Sequence, residues 1–448
     1  MPRLRVRELK PDWEWGKQTL SLNKEEFMIK VITFLGDRGG LETVYSYGEK
    51  TYTGGVFAEA ISQFCQYDEM LVCVTDRAKA NTWEVLEKLE DKRIKPIDIP
   101  TGRTNEEMWE TFKIIAAQVD EGDHVIFDIT HGLRSLPFLV FLFAAYLKAA
   151  KNVTIDAIYY GALELRESKE APAPVIDLSE FVGMLDWLTA TDRFITTGEG
   201  QSLANLVYNA VPSKAELRDD PSTRPLRSHL EKSAKAIETI SLALNITRPI
   251  ETMKSAIELE TTLQKAESSF NQRAKPFSLL AEKIINEYGQ FALENATYKD
   301  VTLDNLWHQL HMIEWYINRD KIIQAVTLAR EWLVSVLVFN FNLHEFMFDL
   351  HKGRKYAEKA LNNGVEKRKK DPRPITPCDY DQNFEDLATA DQLVEIWSKM
   401  TELRNDIAHV GMNLNPQSAE NIKKQAINLY PKIKAIGESM LIKNTDND

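Results

Sequence analysis

Residues 124–150 read HVIFDITHGLRSLPFLVFLFAAYLKAA. The first seven form an apolar strand pattern ending on Asp128 and Thr130. His131, Gly132, Leu133, Arg134 and Ser135 then turn the chain, and a helical run begins at Leu136. Gly132 lets backbone approach a ligand closely, Ser135 suits a helix N-cap, and Pro137 suits a first turn. The apolar run Leu136–Leu147 is much shorter than the ~20 residues a membrane-crossing helix needs, so it reads as a buried helix. A strand feeding a helix through a glycine turn is the repeating unit of an α/β sheet.

The same alternation extends in both directions. Strands are predicted at Met28–Leu35, Met70–Thr75, Ile94–Ile99, His124–Thr130 and Val153–Tyr160. Helices are predicted at Val56–Phe64, Ala78–Leu89, Glu106–Val119 and Leu136–Ala150. That order implies a mostly parallel sheet covered on both faces. After Asp177 the character becomes all-helical, with segments at Leu178–Ile195, Leu226–Leu244, Ile250–Phe270, Leu279–Leu293, Leu306–Tyr316, Ile322–Phe348, Gln392–Val410 and Ala419–Leu441. Loops are expected at Pro212–Pro225 and Asn362–Asn383, the second carrying the basic run Lys367–Lys370. The fold class is therefore α/β plus all-α. The divisions are an N-terminal extension (1–27), an α/β domain (28–185), a helical connector (186–300) and a C-terminal helical domain (301–448).

The 448 residues are too many for one ordinary core. A net charge of −12 excludes a protein that coats nucleic acid through its whole surface; contact with RNA must be local. Cys65, Cys73 and Cys378 have neither disulfide-framework nor zinc-site spacing and fit a reducing cytoplasm. No secretion signal follows the basic residues Arg3, Arg5, Arg7 and Lys10.

Two turns at strand ends carry the first chemistry. One is Gly36-Asp37-Arg38-Gly39-Gly40, after the first strand; the other is the 128–135 turn. In a doubly wound sheet these strands lie side by side where strand order reverses, which is where ligands bind. The helix N-terminus after Ser135 offers free N–H groups to a phosphate, Arg134 a forked charged donor, and Thr130 and His131 further donors. A plain strand-to-helix turn uses Asp128 and Thr130 equally well, and leaves His131 a satisfied turn residue. Neither G-x-x-x-x-G-K-[ST] nor G-x-G-x-x-G occurs, which speaks against an ordinary nucleoside-triphosphatase or dehydrogenase.

The second constellation is Arg404-Asn405-Asp406-Ile407-Ala408-His409. At ~100° per residue, Leu393, Ile396, Trp397, Met400, Leu403, Ile407 and Val410 share one stripe. His409 falls nearly opposite it, ~140° from Arg404, so one chain does not pair the two and a second copy of the helix is the way to bring them together. Histidine can move the 2′-hydroxyl proton of RNA and arginine can hold the phosphate as charge develops. No metal is required, and the products would be a 2′,3′-cyclic phosphate and a 5′-hydroxyl. The bland reading is an exposed histidine and a surface arginine. His308 with His311, and His344 with His351, share helical faces, but without an H-E-x-x-H pattern no metal site is read there.

Together the motifs carry a resemblance. D-I-T-H-G-L-R-S-L-P after an apolar strand resembles the D-x-T-H-G signature of CRISPR-associated CARF domains, which are Rossmann-like. R-N-D-I-A-H resembles the R-x-x-x-x-H signature of HEPN ribonucleases. The order also resembles that of type III CRISPR accessory ribonucleases, CARF first and HEPN last. The resemblance implies that a cyclic oligoadenylate, with cyclic tetra-adenylate favoured, binds across a CARF dimer and activates a composite HEPN site. Arg404 and His409 would be catalytic, with Asn405 in support. Thr130, His131, Gly132, Leu133 and Arg134 would line the ligand site, joined by Gly36 and Asp37. The implied protein is a cytoplasmic, metal-independent endoribonuclease acting on single-stranded RNA in antiviral defence. It would need no cofactor, form a homodimer or higher oligomer, and engage neither membrane nor DNA stably. The alternatives are a cyclic-nucleotide-sensing dimer whose helical domain is a non-catalytic scaffold or regulator, and an α/β nucleotide hydrolase with a helical oligomerisation domain.

Overall fold

The computed structural model describes residues 27–37, 42–131, 136–298, 301–412 and 414–441. The chain forms two compact units, Met1–Gly183 and Met184–Asp448. The expected extension 1–27 lies, but for Phe27, outside the described residues.

In the first unit the strands are β1 (Ile29–Phe34), β2 (Thr43–Tyr47), β3 (Lys50–Gly54), β4 (Glu69–Val74), β5 (Ile94–Asp98), β6 (His124–Asp128), β7 (Thr154–Gly161) and β8 (Ala173–Asp177). They form one sheet in the order β3-β2-β8-β7-β6-β1-β4-β5. The five strands β7, β6, β1, β4 and β5 pair in parallel, with β1 between β4 and β6. Strand order reverses at β1 and β6, as the sequence predicts. Both faces of β1 are covered, with Val31 in the apolar core on one side and Ile32 and Phe34 in that on the other.

Helix α1 (Phe57–Phe64) covers one face of the sheet together with α2 (Asp76–Asn81) and α3 (Trp83–Glu87). Helices α4 (Asn105–Ala117) and α5 (Leu136–Lys151) cover the other. The single helix expected over Ala78–Leu89 is two helices, because Thr82 leaves helical geometry at φ −130°. Its hydroxyl reaches the carbonyls of Ala78 and Gly36, both at 2.7 Å.

The hairpin β2–β3 and strand β8 were not expected. The hairpin turns through Gly48 at φ +59°, a conformation that glycine adopts without strain. β8 returns antiparallel to β7 and carries β2 alongside it in parallel.

The second unit runs through α6 (Ser179–Thr197, which begins in the first unit), α7 (Gln201–Asn209), α8 (Lys214–Asp219), α9 (Arg224–Asn245), α10 (Pro249–Lys265), α11 (Glu267–Arg273), α12 (Lys275–Ser278) and α13 (Ala281–Gly289). It continues with α14 (Leu303–Asn318), α15 (Ile322–Asn340), α16 (Arg354–Lys367), α17 (Asp381–Glu385), α18 (Ala390–Ala408) and α19 (Ala419–Met440). One apolar core runs from Ala190 to Leu441, so the segments read as connector and C-terminal domain share it. α15 is long and apolar enough to cross a membrane, and here it carries Trp332, Leu333 and Leu337 into that core.

Four boundaries differ from expectation. α15 stops at Asn340 rather than Phe348, since Asn342 turns left-handed at φ +57° and Leu343 N–H closes on Val338. Ala266 divides α10 from α11. The Pro212–Pro225 loop contains α8, whose Ser213 and Glu216 form a capping box. The Asn362–Asn383 loop is shortened from both ends, because α16 runs to Lys367 and α17 starts at Asp381.

Gly364 in α16 lies against the buried ring of Phe384, and a Cβ there would come within 2.3 Å of it. Gly364→Ala is therefore expected to destabilise the chain by about 1–3 kcal/mol through overpacking, against the gain in helix propensity. Chemical denaturation checks this, and an unchanged or raised midpoint would mean that the ring gives way freely.

Candidate functional site

The α/β site begins with buried groups. Asp128, at the end of β6, is fully buried. Its carboxylate accepts from the Thr33 hydroxyl at 2.6 Å and from the Thr130 N–H at 2.7 Å. Burial raises its pKa, against the pull of His131 and these hydrogen bonds. Thr130 Oγ1 accepts from the Gly161 N–H at 2.8 Å, fixing the turn to β7.

His131 Nε2 accepts from the Phe57 N–H at 3.0 Å, at the first turn of α1. That bond assigns the ring proton to Nδ1. Glu59 accepts the neighbouring N–H groups of Gly55 and Val56 at 2.7 and 3.0 Å, so together they cap α1. Burial lowers the His131 pKa, with Asp128 acting in the opposite direction, which keeps the ring neutral and able to accept. In this conformation its Nε2 serves the helix.

The first turn lies alongside. Gly36 is near enough that a Cβ on it would sit 3.5 Å from the His131 carbonyl oxygen. Its own carbonyl accepts from Thr82, and that of Asp37 accepts from Asn81 Nδ2 at 3.1 Å. The fold thus brings Gly36, Asp37, Thr130 and His131 to one place at the reversal point. Gly132, Leu133, Arg134, and with them Arg38, Gly39, Gly40 and Ser135, lie outside the described residues.

Asn81, Thr82 and Glu59 were missed by the sequence reading. They hold the turns rather than face a ligand, and no spacing announces a side chain that bonds a carbonyl more than forty positions away.

His131→Ala is expected to cost the α/β unit about 1 kcal/mol by uncapping α1, and His131→Asn less. Equal unfolding midpoints for wild type and the alanine variant would remove the capping role.

The second site is the end of α18. Leu393, Ile396, Trp397, Met400 and Leu403 are buried in the helical core, as their stripe predicts. The stripe does not extend to Val410. The helix closes with Val410 at φ +55°, its N–H on the Ile407 carbonyl, and with Gly411 N–H on that of Asp406. This is the Schellman pattern, and it leaves Val410 78% exposed. A β-branched residue at positive φ is strained, and here the strain sits next to His409.

Arg404, Asn405 and His409 are all exposed. Arg404 Nη1 donates to Asn405 Oδ1 at 3.2 Å. His409 makes no side-chain hydrogen bond or ion pair among the described residues, and so none with Arg404. The chain presents both groups to solvent and does not bring them together, matching the angular separation read from the sequence.

Residues 183–296 match the family described as CRISPR-associated protein MJ1674, second domain. A CRISPR-associated protein MJ1674 of Methanocaldococcus jannaschii is 29% identical over 175 residues, covering 36% of this chain and 27% of the relative. The chain thus matches about a quarter of that relative's length. The similarity supports a CRISPR association. The family match begins where the helical unit begins and ends before α14, so it does not extend to Arg404 and His409.

The basic run after α16 is largely spoken for. Lys367 and Arg368 pair with Glu385, Arg368 also with Asp391, and Lys369 with Glu366. These pairings favour a solvated loop over an RNA contact for this run.

Proposed function

We propose that this protein is a cyclic-oligoadenylate-activated endoribonuclease of CRISPR defence, sensing its ligand at the 36–37 and 130–134 turns and cutting single-stranded RNA at Arg404 and His409. The observation that carries the reading is the end of α18, where a guanidinium and an imidazole face solvent on one helix terminus and neither forms an ion pair among the described residues. The similarity of residues 183–296 to a CRISPR-associated domain supports the setting.

The chemistry is a transesterification. His409 takes the proton of the 2′-hydroxyl, and the 2′-oxygen attacks the adjacent phosphorus. The bond from phosphorus to the 5′-oxygen breaks, and that oxygen acquires a proton. Arg404 stabilises the charge that gathers on the phosphorane oxygens, and Asn405 orients Arg404. Because the two side chains do not meet within one chain, two copies of α18 facing each other form the working cleft. A two-fold symmetric cyclic ligand suits a two-fold symmetric dimer, and it shifts the pair of helices by as much as it prefers one dimer arrangement.

The test is cleavage of a fluorescent single-stranded RNA in EDTA, alone and with cyclic tetra-adenylate or cyclic hexa-adenylate. Cutting with one ligand only, yielding 2′,3′-cyclic phosphate ends, is expected. Ligand binding without cutting would leave a sensor with a scaffolding helical unit.

A further inference from the structure

The helical unit holds a cavity of about 400 Å³ where the turn between α9 and α10 meets α14, α15 and the start of α16. That volume lies in the range of small-ligand pockets, about 300–1,000 Å³. Its wall is apolar, from Ile250, Leu328 and Met347, all buried. Polar groups gather at two places on it, one deep and one at the rim.

The rim is built for an anion. Thr247 turns left-handed at φ +58°, and the Arg248 N–H closes on the Ala243 carbonyl at 2.8 Å. A β-branched residue held in that region is strained, and the strain brings Arg248 to the cavity. Arg248 is exposed, and its guanidinium makes no hydrogen bond or ion pair among the described residues. It is also the N-cap of α10, whose first turn has no side chain capping it. The start of a seventeen-residue helix offers N–H groups and a positive dipole end to a phosphate. Lys254, further along α10, sits 6.0 Å over the Tyr298 ring and adds a second cation. The nearby carboxylates are engaged. Glu251 accepts from the Tyr298 hydroxyl at 3.4 Å, and Glu331 pairs with Arg354 at 2.7 Å and Arg330 at 2.5 Å. In a chain of net charge −12, this is a local positive site.

The deep end is built for a flat polar edge. Gln309 lines the cavity and is 7% exposed. Its Nε2 donates to Asn305 Oδ1 at 2.6 Å, and its amide makes no other hydrogen bond among the described residues. Asn305 is 1% exposed, and its own Nδ2 has no partner among the described residues. Buried amides this far from satisfied are rare in folded chains, and a ligand's polar edge is one way to complete them. A glutamine amide offers a donor and an acceptor side by side, which matches the N6–H and N7 of adenine. Between the two ends stand the rings of Tyr298 and Phe348, with centroids 5.3 Å apart and both exposed. Aromatic faces of this kind stack on bases.

We propose that this cavity binds an adenine mononucleotide, its phosphate on Arg248 and the first turn of α10, its base edge on Gln309, and its ring against the Tyr298–Phe348 pair. This does not rest on the nuclease reading. An apolar ligand would leave Gln309 and Arg248 unused. Inorganic phosphate would leave the apolar wall unfilled.

The experiment is calorimetric titration of the full chain with adenosine, guanosine and cytidine 5′-monophosphates, with adenosine, and with inorganic phosphate. One adenosine monophosphate per chain is expected, bound about tenfold or more tightly than the guanosine or cytidine nucleotide. Arg248→Ala should weaken it about ten- to hundredfold and leave adenosine binding unchanged, as for one lost charged hydrogen bond. Gln309→Met should erase the preference for adenine, with an unchanged far-ultraviolet spectrum. Asp37→Ala, in the α/β unit, should bind the nucleotide as wild type does. No binding at millimolar nucleotide would overturn the proposal, as would equal affinity for the three nucleotides. So would loss of binding in Asp37→Ala with none in Arg248→Ala, which would put the nucleotide at the α/β turns. A 5′-phosphorylated hexa-adenylate RNA that binds more tightly than the mononucleotide, and loses that binding in Arg248→Ala, would make the occupant an RNA end instead.

Discussion

His409→Ala is expected to abolish ligand-dependent RNA cleavage, with a loss of about 10²–10⁴-fold in rate, the usual contribution of a positioned general acid or base. The residue is exposed and caps the end of α18 through its backbone, not its ring, so stability should stay within about 0.5 kcal/mol of wild type. Arg404→Lys should lose about 10²–10³-fold, since it keeps the charge but not the forked donor that holds the phosphorane. On the proposed reading both variants should bind a cyclic oligoadenylate as wild type does, because the residues lie in the helical unit and the turns proposed to sense it lie in the other. The measurement is single-turnover cleavage beside a binding titration on the same preparations. A His409→Ala protein that cuts at the wild-type rate would remove the active-site assignment, and the helical unit would then be a scaffold.

The core of the α/β unit was readable because its strands announce themselves. β1, β4 and β6 are short apolar runs buried on both sides, and the glycine turns after β1 and β6 mark the reversal point. β8 was not readable. Its register depends on a neighbour, β7, that precedes it by more than ten residues, and its five residues include a proline. The helical half was legible in its apolar periods, but not at its ends. Asn342 and Val410 stop helices by turning left-handed, and valine does not announce a terminus as glycine or asparagine would. At the candidate sites, spacing gave the angular separation of Arg404 and His409. It did not give the partner of His131, because the Phe57 N–H is a backbone group with no sequence signature. A side chain read as a donor to a ligand turned out to be accepting a hydrogen bond within the fold.

The second large effect is expected at Asp123, just before β6 and at the opposite end of that strand from Asp128. Lys30 in β1 is 3% exposed and so is a cation held inside the sheet. Its ammonium pairs with Asp123 at 2.7 Å and Asp120 at 3.0 Å, and donates to the Gln118 carbonyl at 2.8 Å. Asp123 also accepts from the Met28 and Asp120 N–H groups at 3.1 and 2.8 Å, so one carboxylate ties the entrance of the first strand to the turn before β6. Asp123→Ala strands a buried charge and should cost about 3–5 kcal/mol. For a unit of this size that lowers the midpoint of its thermal transition by roughly 6–20 °C. The double variant Lys30→Met, Asp123→Leu removes both charges and should recover most of the loss, because an apolar pair of similar volume replaces an ion pair at little net cost. The pH dependence follows from the two shifts. Burial works against the charged forms of both groups, and their mutual hydrogen bond and attraction outweigh it, leaving Asp123 lowered and Lys30 raised. The Asp123 contribution is complete above its ordinary pKa near 3.8 and is lost as pH falls through the lowered folded value. The Lys30 contribution is complete below 10.5 and is lost only as pH rises through the raised value. Between those limits the pair should hold the unit at constant strength. Thermal melts of the three proteins from acid to neutral pH check this, and an Asp123→Ala protein as stable as wild type would mean that Asp120 and water satisfy the ammonium without it.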